Sequence, residues 1–298
     1  MFSIIIPTRN RLHLLNELLN SLPTIDEEYE IIIVDSSDVP IKSRDLNAAR
    51  ELKLIYSEIK SAAVQRNIGL KHINEKSNYL FFLDDDIRVS RNYFNDLREL
   101  MQKYGAVGAS GVAHNLSKGS IREKPAGLIG LLHRIFLLDS NVDGKLLKSG
   151  VNIPCRELAT VNPKCDWLIA CSAWKVDIIK DTRFEEDFMG ASLAEDVIFS
   201  IKMKQKGTLV TSTNIILDHS EDSKGRPNPM DFWQMWVKNR MRVIKVANFG
   251  VSGYVSYWWA NLGQALVFVL GITKGKIDSK KALLGLLLGA SDVIWRNR

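Results

Sequence analysis

One pattern repeats along the first half of the chain: a short apolar, β-branched run, a break, then ten or more residues with helical spacing. "FSIIIP" stops at Pro7 and leads into "RLHLLNELLNSL", where Leu15, Leu18, Leu19 and Leu22 share one helical face. "YEIIIVDS" and the weaker "LKLIYS" follow, then "SAAVQRNIGLKHIN", which reads as a helix opened by Ser61. "NYLFFLDDD" is the next strand. "RNYFNDLRELMQKYG" is a helix with Phe94, Leu97, Met101 and Tyr104 in register and Gly105 as its stop. "AVGASGVAH" is again strand-like. Runs that are apolar on both faces must be covered on both sides, and crossovers of this length are what parallel strands require. The pattern predicts an α/β fold with a mostly parallel central sheet flanked by helices. Such sheets bind ligands beyond the carboxyl ends of their strands, and Asp35 and the run Asp84, Asp85 and Asp86 fall at strand ends.

Three adjacent carboxylates directly after "LFFL" repel one another and need a counter-charge. A divalent cation neutralises two carboxylates and still holds phosphate oxygens. Asp84 and Asp86 are spaced to reach the same side, one toward a metal and one toward a ribose hydroxyl. The alternative is a solvated turn with a helix cap, where Asp is common.

Periodicity fades over residues 115–160, read as an irregular insertion over the site. Order returns with "CDWLIACSAWKVDII", a strand and a short helix, and with "SLAEDVIFSIKMKQKG", a helix capped by Ser192 and stopped at Gly207. "TLVTSTNIILDHS" is a strand, and Asn228 and Pro229 open a long basic, aromatic helix. Cys155, Cys165 and Cys171 match no zinc spacing and cannot all pair, which points to a reducing compartment. The N-terminal apolar run is too short for a signal peptide.

Net charge is +6 but unevenly spread: from Lys224 onward there are 12 Lys/Arg against 3 Asp/Glu, whereas the preceding part carries 28 against 31. A near-neutral body speaks against a nucleic-acid groove, and the basic tail suggests an anionic partner. "ANFGVSGYVSYWWANLGQALVFVLGIT" at 247–273 has no charged residue and is long enough to span a bilayer, but its first half is polar and aromatic. The expectation is a cytoplasmic protein, peripheral on the inner face of the membrane and drawn by anionic lipid, with a single spanning helix or an ordinary buried helix as alternatives.

In order, "IIIPTRNR", "IIIVDSSD", "AAVQRNIGL", "YLFFLDDD", "CDWLIACSAWKVDII" and "LAEDVIFSIKMKQKG" resemble the family 2 inverting glycosyltransferases of GT-A fold, over roughly residues 1–245. The resemblance implies a Rossmann-like catalytic domain at 1–222, with a nucleotide-sugar-binding half at 1–113 and an acceptor half at 114–222. A basic helical extension at 223–298 would follow it. It implies that Pro7, Thr8 and Arg9 line the nucleotide pocket and that Asp35 accepts a hydrogen bond from a pyrimidine base. Turn capping is the other use for Asp35. The family usually continues with Gly there, whereas this chain reads "DSSDVP". Arg66 and Asn67 would face the donor, the guanidinium pairing with its diphosphate or ribose. Asp84, Asp85 and Asp86 match the family's DXD metal motif, for Mn²⁺ or Mg²⁺. His219 matches a metal-binding histidine of several members, though a lone histidine also serves structure.

Glu195 and Asp196 match the acidic pair before a helix. Ser192 with Glu195 also spells a capping box, which leaves Asp196 as the general base, or else as a dipole-stabilising first-turn acid. Trp167 and Trp174, flanking the implied acceptor cleft, would stack on a sugar or pack in the core.

The implied activity is metal-dependent, inverting transfer of a sugar from a UDP-, dTDP- or GDP-sugar. The acceptor is a hydroxyl of a glycan or lipid-linked molecule in cell-surface polysaccharide assembly. A nucleotidyltransferase would show a Gly-rich phosphate loop, and "PTRNR" has no glycine. A two-metal nuclease needs a basic groove. A non-catalytic sugar-binding protein would be indifferent to the loss of Asp196.

Overall fold

The computed structural model describes residues 1–24, 27–47, 52–115, 125–156, 160–188, 193–219 and 227–296. In chain order the strands are β1 (Phe2–Thr8), β2 (Tyr29–Asp35), β3 (Leu52–Tyr56), β4 (Tyr79–Phe82), β5 (Ile87–Val89), β6 (Gly108–Asn115), β7 (Val161–Asn162), β8 (Ser172–Lys175) and β9 (Leu209–His219). The helices are α1 (Leu12–Ser21), α2 (Ala62–Leu70), α3 (Tyr93–Tyr104), α4 (Gly127–Ile135), α5 (Val176–Ile179), α6 (Glu195–Lys204), α7 (Pro229–Ala247), α8 (Gly250–Thr273) and α9 (Ile277–Arg296). The chain divides into two compact units, Met1–Ile121 with Cys155–Ser223, and Arg122–Pro154 with Lys224–Arg298.

The first unit holds the sheet, in the order β3-β2-β1-β4-β8-β6-β9-β5, with β7 paired to β9. It is parallel through β3, β2, β1 and β4, as the alternating runs predict. Beyond β4 it is mixed: β8 runs antiparallel to both β4 and β6, and β5 antiparallel to β9. The parallel half has its crossover helices on both faces. Ile4, Ile6, Ile33 and Phe81 pack on one side against Leu15 and Leu18 of α1 and Leu97 of α3. On the other side α2 lies so close to β1 that a Cβ on Gly69 would meet the Ile5 side chain at 2.5 Å. Gly105 ends α3 at φ 59, a left-handed conformation that suits glycine.

Ser61 caps α2, its Oγ accepting from the Val64 N–H. The start of α6 differs from the sequence reading. The helix begins at Glu195 rather than two residues earlier, after Ala194 in the left-handed region (φ 71). Glu195 is therefore the first helical residue and not the third, so it has no place in a capping box; Ser192 lies outside the described residues. The helix also ends at Lys204, short of Gly207, whose missing Cβ makes room for Val107.

The second unit is helical. Asn228 caps α7 by accepting from the Met230 and Asp231 N–H groups, with Pro229 in the first turn. Val237, Met241 and Ile244 of α7 pack with Tyr257 and Phe268 of α8 and Leu286 of α9. Part of the segment read as an irregular insertion belongs here. It contains α4, and Phe136 just after α4 packs on Trp259 of α8 with ring centroids 4.6 Å apart. Among the described residues one helix, α8, is long and apolar enough to cross a bilayer.

Candidate active site

The site forms where β1, β2 and β4 end. Asp35 closes β2 and is 1% exposed. Its Oδ1 accepts from the Ser37 N–H at 2.9 Å and its Oδ2 from the Ile41 N–H at 2.8 Å, so it shapes the loop "SSDVPI" from inside. Each carboxylate oxygen keeps acceptor capacity for a further donor. Gln65 of α2 ties this end together, its Nε2 donating to the Thr8 and Val34 carbonyls. Pro7 lies in register with Val34. Arg9 points outward, 3.7 Å from Asp38.

The three acids after β4 face different partners. Asp85 is buried, and the Thr8 hydroxyl donates to its Oδ2 at 2.7 Å. Burial pushes its pKa up, and the Thr8 bond and Arg11 offset this only in part against the Asp86 and Asp84 charges, leaving it at about 6. Asp86 is also desolvated, but His219 and Arg11 outweigh that and hold its carboxyl below the usual range. His219 Nε2 lies 3.3 Å from Asp86 Oδ1, and Arg11 Nη1 lies 3.0 Å from Asp86 Oδ2 and 3.3 Å from Asp85 Oδ1. Asp84 is the most open of the three. Its backbone N–H donates to the Cys171 sulfur at 3.4 Å, and its Oδ1 accepts from Arg66 Nη2 at 2.7 Å.

Arg66 is the hub of the site. It is 2% exposed, and its Nη1 pairs with Glu195 at the start of α6. Asp84 and Asp196 add further negative charge around the same guanidinium, which the field of all three keeps firmly protonated. Arg66 thus joins the end of β4 to the beginning of α6. Burial pushes Glu195 up to about 7, with Asp196 and Asp84 adding to the rise and Arg66 opposing it. Asp196 is raised to about 6, again chiefly by burial and by the Asp84 charge, against the Val197 N–H and Arg66. Glu195 is 6% exposed, whereas Asp196 is partly open and has one carboxylate oxygen on the Val197 N–H at 2.8 Å.

The remaining expected residues fall nearby or into the scaffold. Asn67 clamps the segment before α6: its Nδ2 donates to the Phe184 carbonyl and to Glu186, and its Oδ1 accepts from the Phe184 N–H, each at 2.9 Å. Trp167 is half-buried, next to Leu168, whose N–H donates to Ser200 of α6 at 3.0 Å. Trp174 is a core ring, edge-on to Phe199. Sequence reasoning missed Arg11. "PTRNR" holds two arginines, and the second reaches the acids.

Among the described residues no three carboxylate, imidazole or thiol donors converge on one point. Asp86 and His219 do approach each other, and Asp84, now held by Arg66, lies two residues from Asp86. One carboxylate and one imidazole, completed by phosphate oxygens and water, suit Mn²⁺ better than Mg²⁺, which prefers an all-oxygen shell.

Residues 3–149 match the family model described as glycosyl transferase family 2. This segment, just under half of the chain, is that of a glycosyl transferase family 2 protein. The family 2 segment contains β1, β2, β4 and the three acids. A curated relative, the minor teichoic acid biosynthesis protein GgaA of Bacillus subtilis (strain 168), is 31% identical over 101 residues, 31% of this chain and 23% of that protein. The chain thus matches about a quarter of that relative's length. Among solved structures, S. aureus TarS 1–349 in complex with UDP covers 92% of this chain and 73% of its own at 18% identity and TM-score 0.53. The same protein in complex with UDP-GlcNAc gives 14% identity and TM-score 0.52, covering 99% of this chain and 91% of its own. Both likenesses are of fold, and they fit the GT-A architecture expected of a family 2 chain.

Proposed function

We propose that the protein is an inverting glycosyltransferase that moves a sugar from a nucleoside-diphosphate sugar to a hydroxyl of a cell-surface glycan or lipid-linked polymer, on the cytoplasmic side. The observation that carries the reading is the Arg66 junction, which holds Asp84 at the donor-side strand end and Glu195, next to Asp196, at the start of α6. The family 2 segment supports glycosyl transfer, and the teichoic-acid role printed for GgaA supports a cell-surface polymer as acceptor. The UDP and UDP-GlcNAc complexes of TarS make a UDP-sugar the first donor to try, ahead of dTDP- and GDP-sugars.

In this reading the nucleotide sits beyond β1 and β2, against Thr8 and Asp35, and its diphosphate lies toward Arg11 and Arg66. Asp86 and His219 would hold the divalent cation, with Asp84 joining them. When bound, the ion offsets the negative charge of the departing diphosphate. Asp196 takes the proton of the acceptor hydroxyl. The acceptor oxygen bonds to the anomeric carbon from the side opposite the diphosphate, whose C–O bond breaks with both electrons, and the configuration inverts in one step. Glu195 holds Arg66 and through it the charge balance around Asp196.

A base must be ionised to act. With Asp196 raised to about 6, the transfer rate is expected to climb as pH rises through about 6 and to level above it. A pH–rate profile that stays flat between 5 and 8 assigns the base elsewhere. The reading itself is tested by incubating purified protein with manganese and a panel of UDP-, dTDP- and GDP-sugars, with and without membrane extract, and measuring nucleotide release. One donor is expected to stand out, with release lost on chelation; silence on the whole panel overturns the transferase reading.

A further inference from the structure

We propose that the helical unit docks on an anionic lipid bilayer through the outward side of α8, continued by exposed residues of α4 and α9, with α8 lying along the surface and not through it. This goes beyond the transferase reading and stands independently of it, because every residue it uses lies in the second unit.

α8 is arranged inside out. Between residues 254 and 269 every exposed position is apolar or aromatic: Tyr254, Val255, Trp258, Trp259, Leu262, Leu266 and Val269. Steps of three and four put them on one side of the helix. The opposite side turns polar groups inward. Asn261 and Gln264 are buried, and Asn261 accepts from Arg240 Nη2 at 2.9 Å. The buried Tyr257 hydroxyl donates to the Val237 carbonyl at 3.0 Å, and Arg240 stacks on Trp236, 3.6 Å from the ring centroid. A helix on a water-facing surface has the reverse arrangement.

Its neighbours expose apolar residues too. Leu128, Leu131 and Ile135 of α4 are exposed, and α4 is joined to α8 by the Trp259 Nε1–H, which donates to the Ile135 carbonyl at 2.8 Å. On α9, Leu284, Leu287 and Leu288 are exposed.

So many exposed apolar side chains call for an apolar occupant. Charge and composition choose which one. α8 carries no Asp, Glu, Lys, Arg or His, while the turn into α9 and its first residues expose Lys274, Lys276, Lys280 and Lys281 against Asp278. Tryptophan and tyrosine on the apolar side with lysines at its end are the features of a helix lying among lipid headgroups. A second copy of this chain would cover the leucines but offers the lysines no anionic partner. A spanning helix would need lipid all round, whereas one side of α8 is packed against α7 and α9.

The test uses the full chain in vesicle flotation. The protein is expected to rise with vesicles of mixed phosphatidylglycerol and phosphatidylcholine at least about tenfold more than with phosphatidylcholine alone. Its tryptophan emission should shift to the blue, and alkaline carbonate should release it. The variant Val255→Ser with Leu262→Ser and Leu266→Ser is expected to lose about tenfold of this binding while nucleotide release from the donor is unchanged. Replacing Lys274, Lys276, Lys280 and Lys281 by glutamine should abolish the preference for the anionic lipid; these side chains are exposed, so this variant carries the test if the serine variant does not fold. The proposal fails if the wild type stays at the bottom with both vesicles, if the lysine variant keeps the preference, or if the folded serine variant floats like the wild type. It also fails if the protein resists carbonate, which would mean a spanning helix. A dimer that turns monomeric in the serine variant, with flotation unchanged, assigns the surface to a second copy.

Discussion

Replacing Asp196 by asparagine is expected to lower the rate of sugar transfer by about 10²–10⁴-fold while leaving donor affinity within about twofold. Asparagine keeps the shape and the acceptor oxygen that the Val197 N–H uses, but it cannot take a proton. The neighbouring acid is a poor substitute, because Glu195 is buried and paired with Arg66. Glu195→Gln therefore serves as the control. Its effect should appear largely as lost stability, whereas that of Asp196→Asn should appear in kcat alone. Calorimetry with the donor and a single-turnover assay separate the two. Equal loss of donor binding and transfer in Asp196→Asn would remove it from the role of base.

Arg66→Ala is expected to cost about 3–5 kcal/mol of folding stability, the range for removing one partner of a buried ion pair. The cost comes less from the lost attraction than from what stays behind. Glu195 would be a buried carboxylate with both oxygens unpartnered among the described residues, since its Oε2 has no hydrogen-bond partner among them even with Arg66 present. The double variant Arg66→Met with Glu195→Gln should recover a large part of the loss, because it removes the orphaned charge and fills the space. Denaturant unfolding followed by circular dichroism measures all three proteins. If Arg66→Ala is as stable as the parent, the guanidinium does not hold β4 and α6 together.

The sequence made some of this legible and hid the rest, for a physical reason. Periodicity is a local signal. Three of the four parallel strands, β1, β2 and β4, could be read from short apolar runs because such runs are buried on both faces whatever their partners are, whereas edge strand β3, with no buried residue, leaves only a weak run. Asp35 and Asp84 to Asp86 could be placed at strand ends by the same means. Arg66 could be placed on a helix, but its partners lie 18 and 129 residues away, a pairing that no window of sequence contains. Arg11 was missed for the same reason: it reaches acids 74 and 75 residues further on. The start of α6 was misread because "SLAE" matches a capping pattern, while the backbone at Ala194 turns left-handed and begins the helix later. The nine-residue α4 escaped because it contains two glycines and little helical preference of its own, so packing on α8 must supply what propensity does not.

The way α4 is held has a practical side. The helical unit is discontinuous in the chain, built from Arg122–Pro154 as well as from Lys224–Arg298. Stopping translation after the sheet-bearing region would strip Phe136 and Leu138 of the Ala260 and Trp259 side chains that shelter them, and a sticky excursion would be left in the shortened polypeptide. A soluble catalytic fragment has to lose the internal stretch as well as the tail.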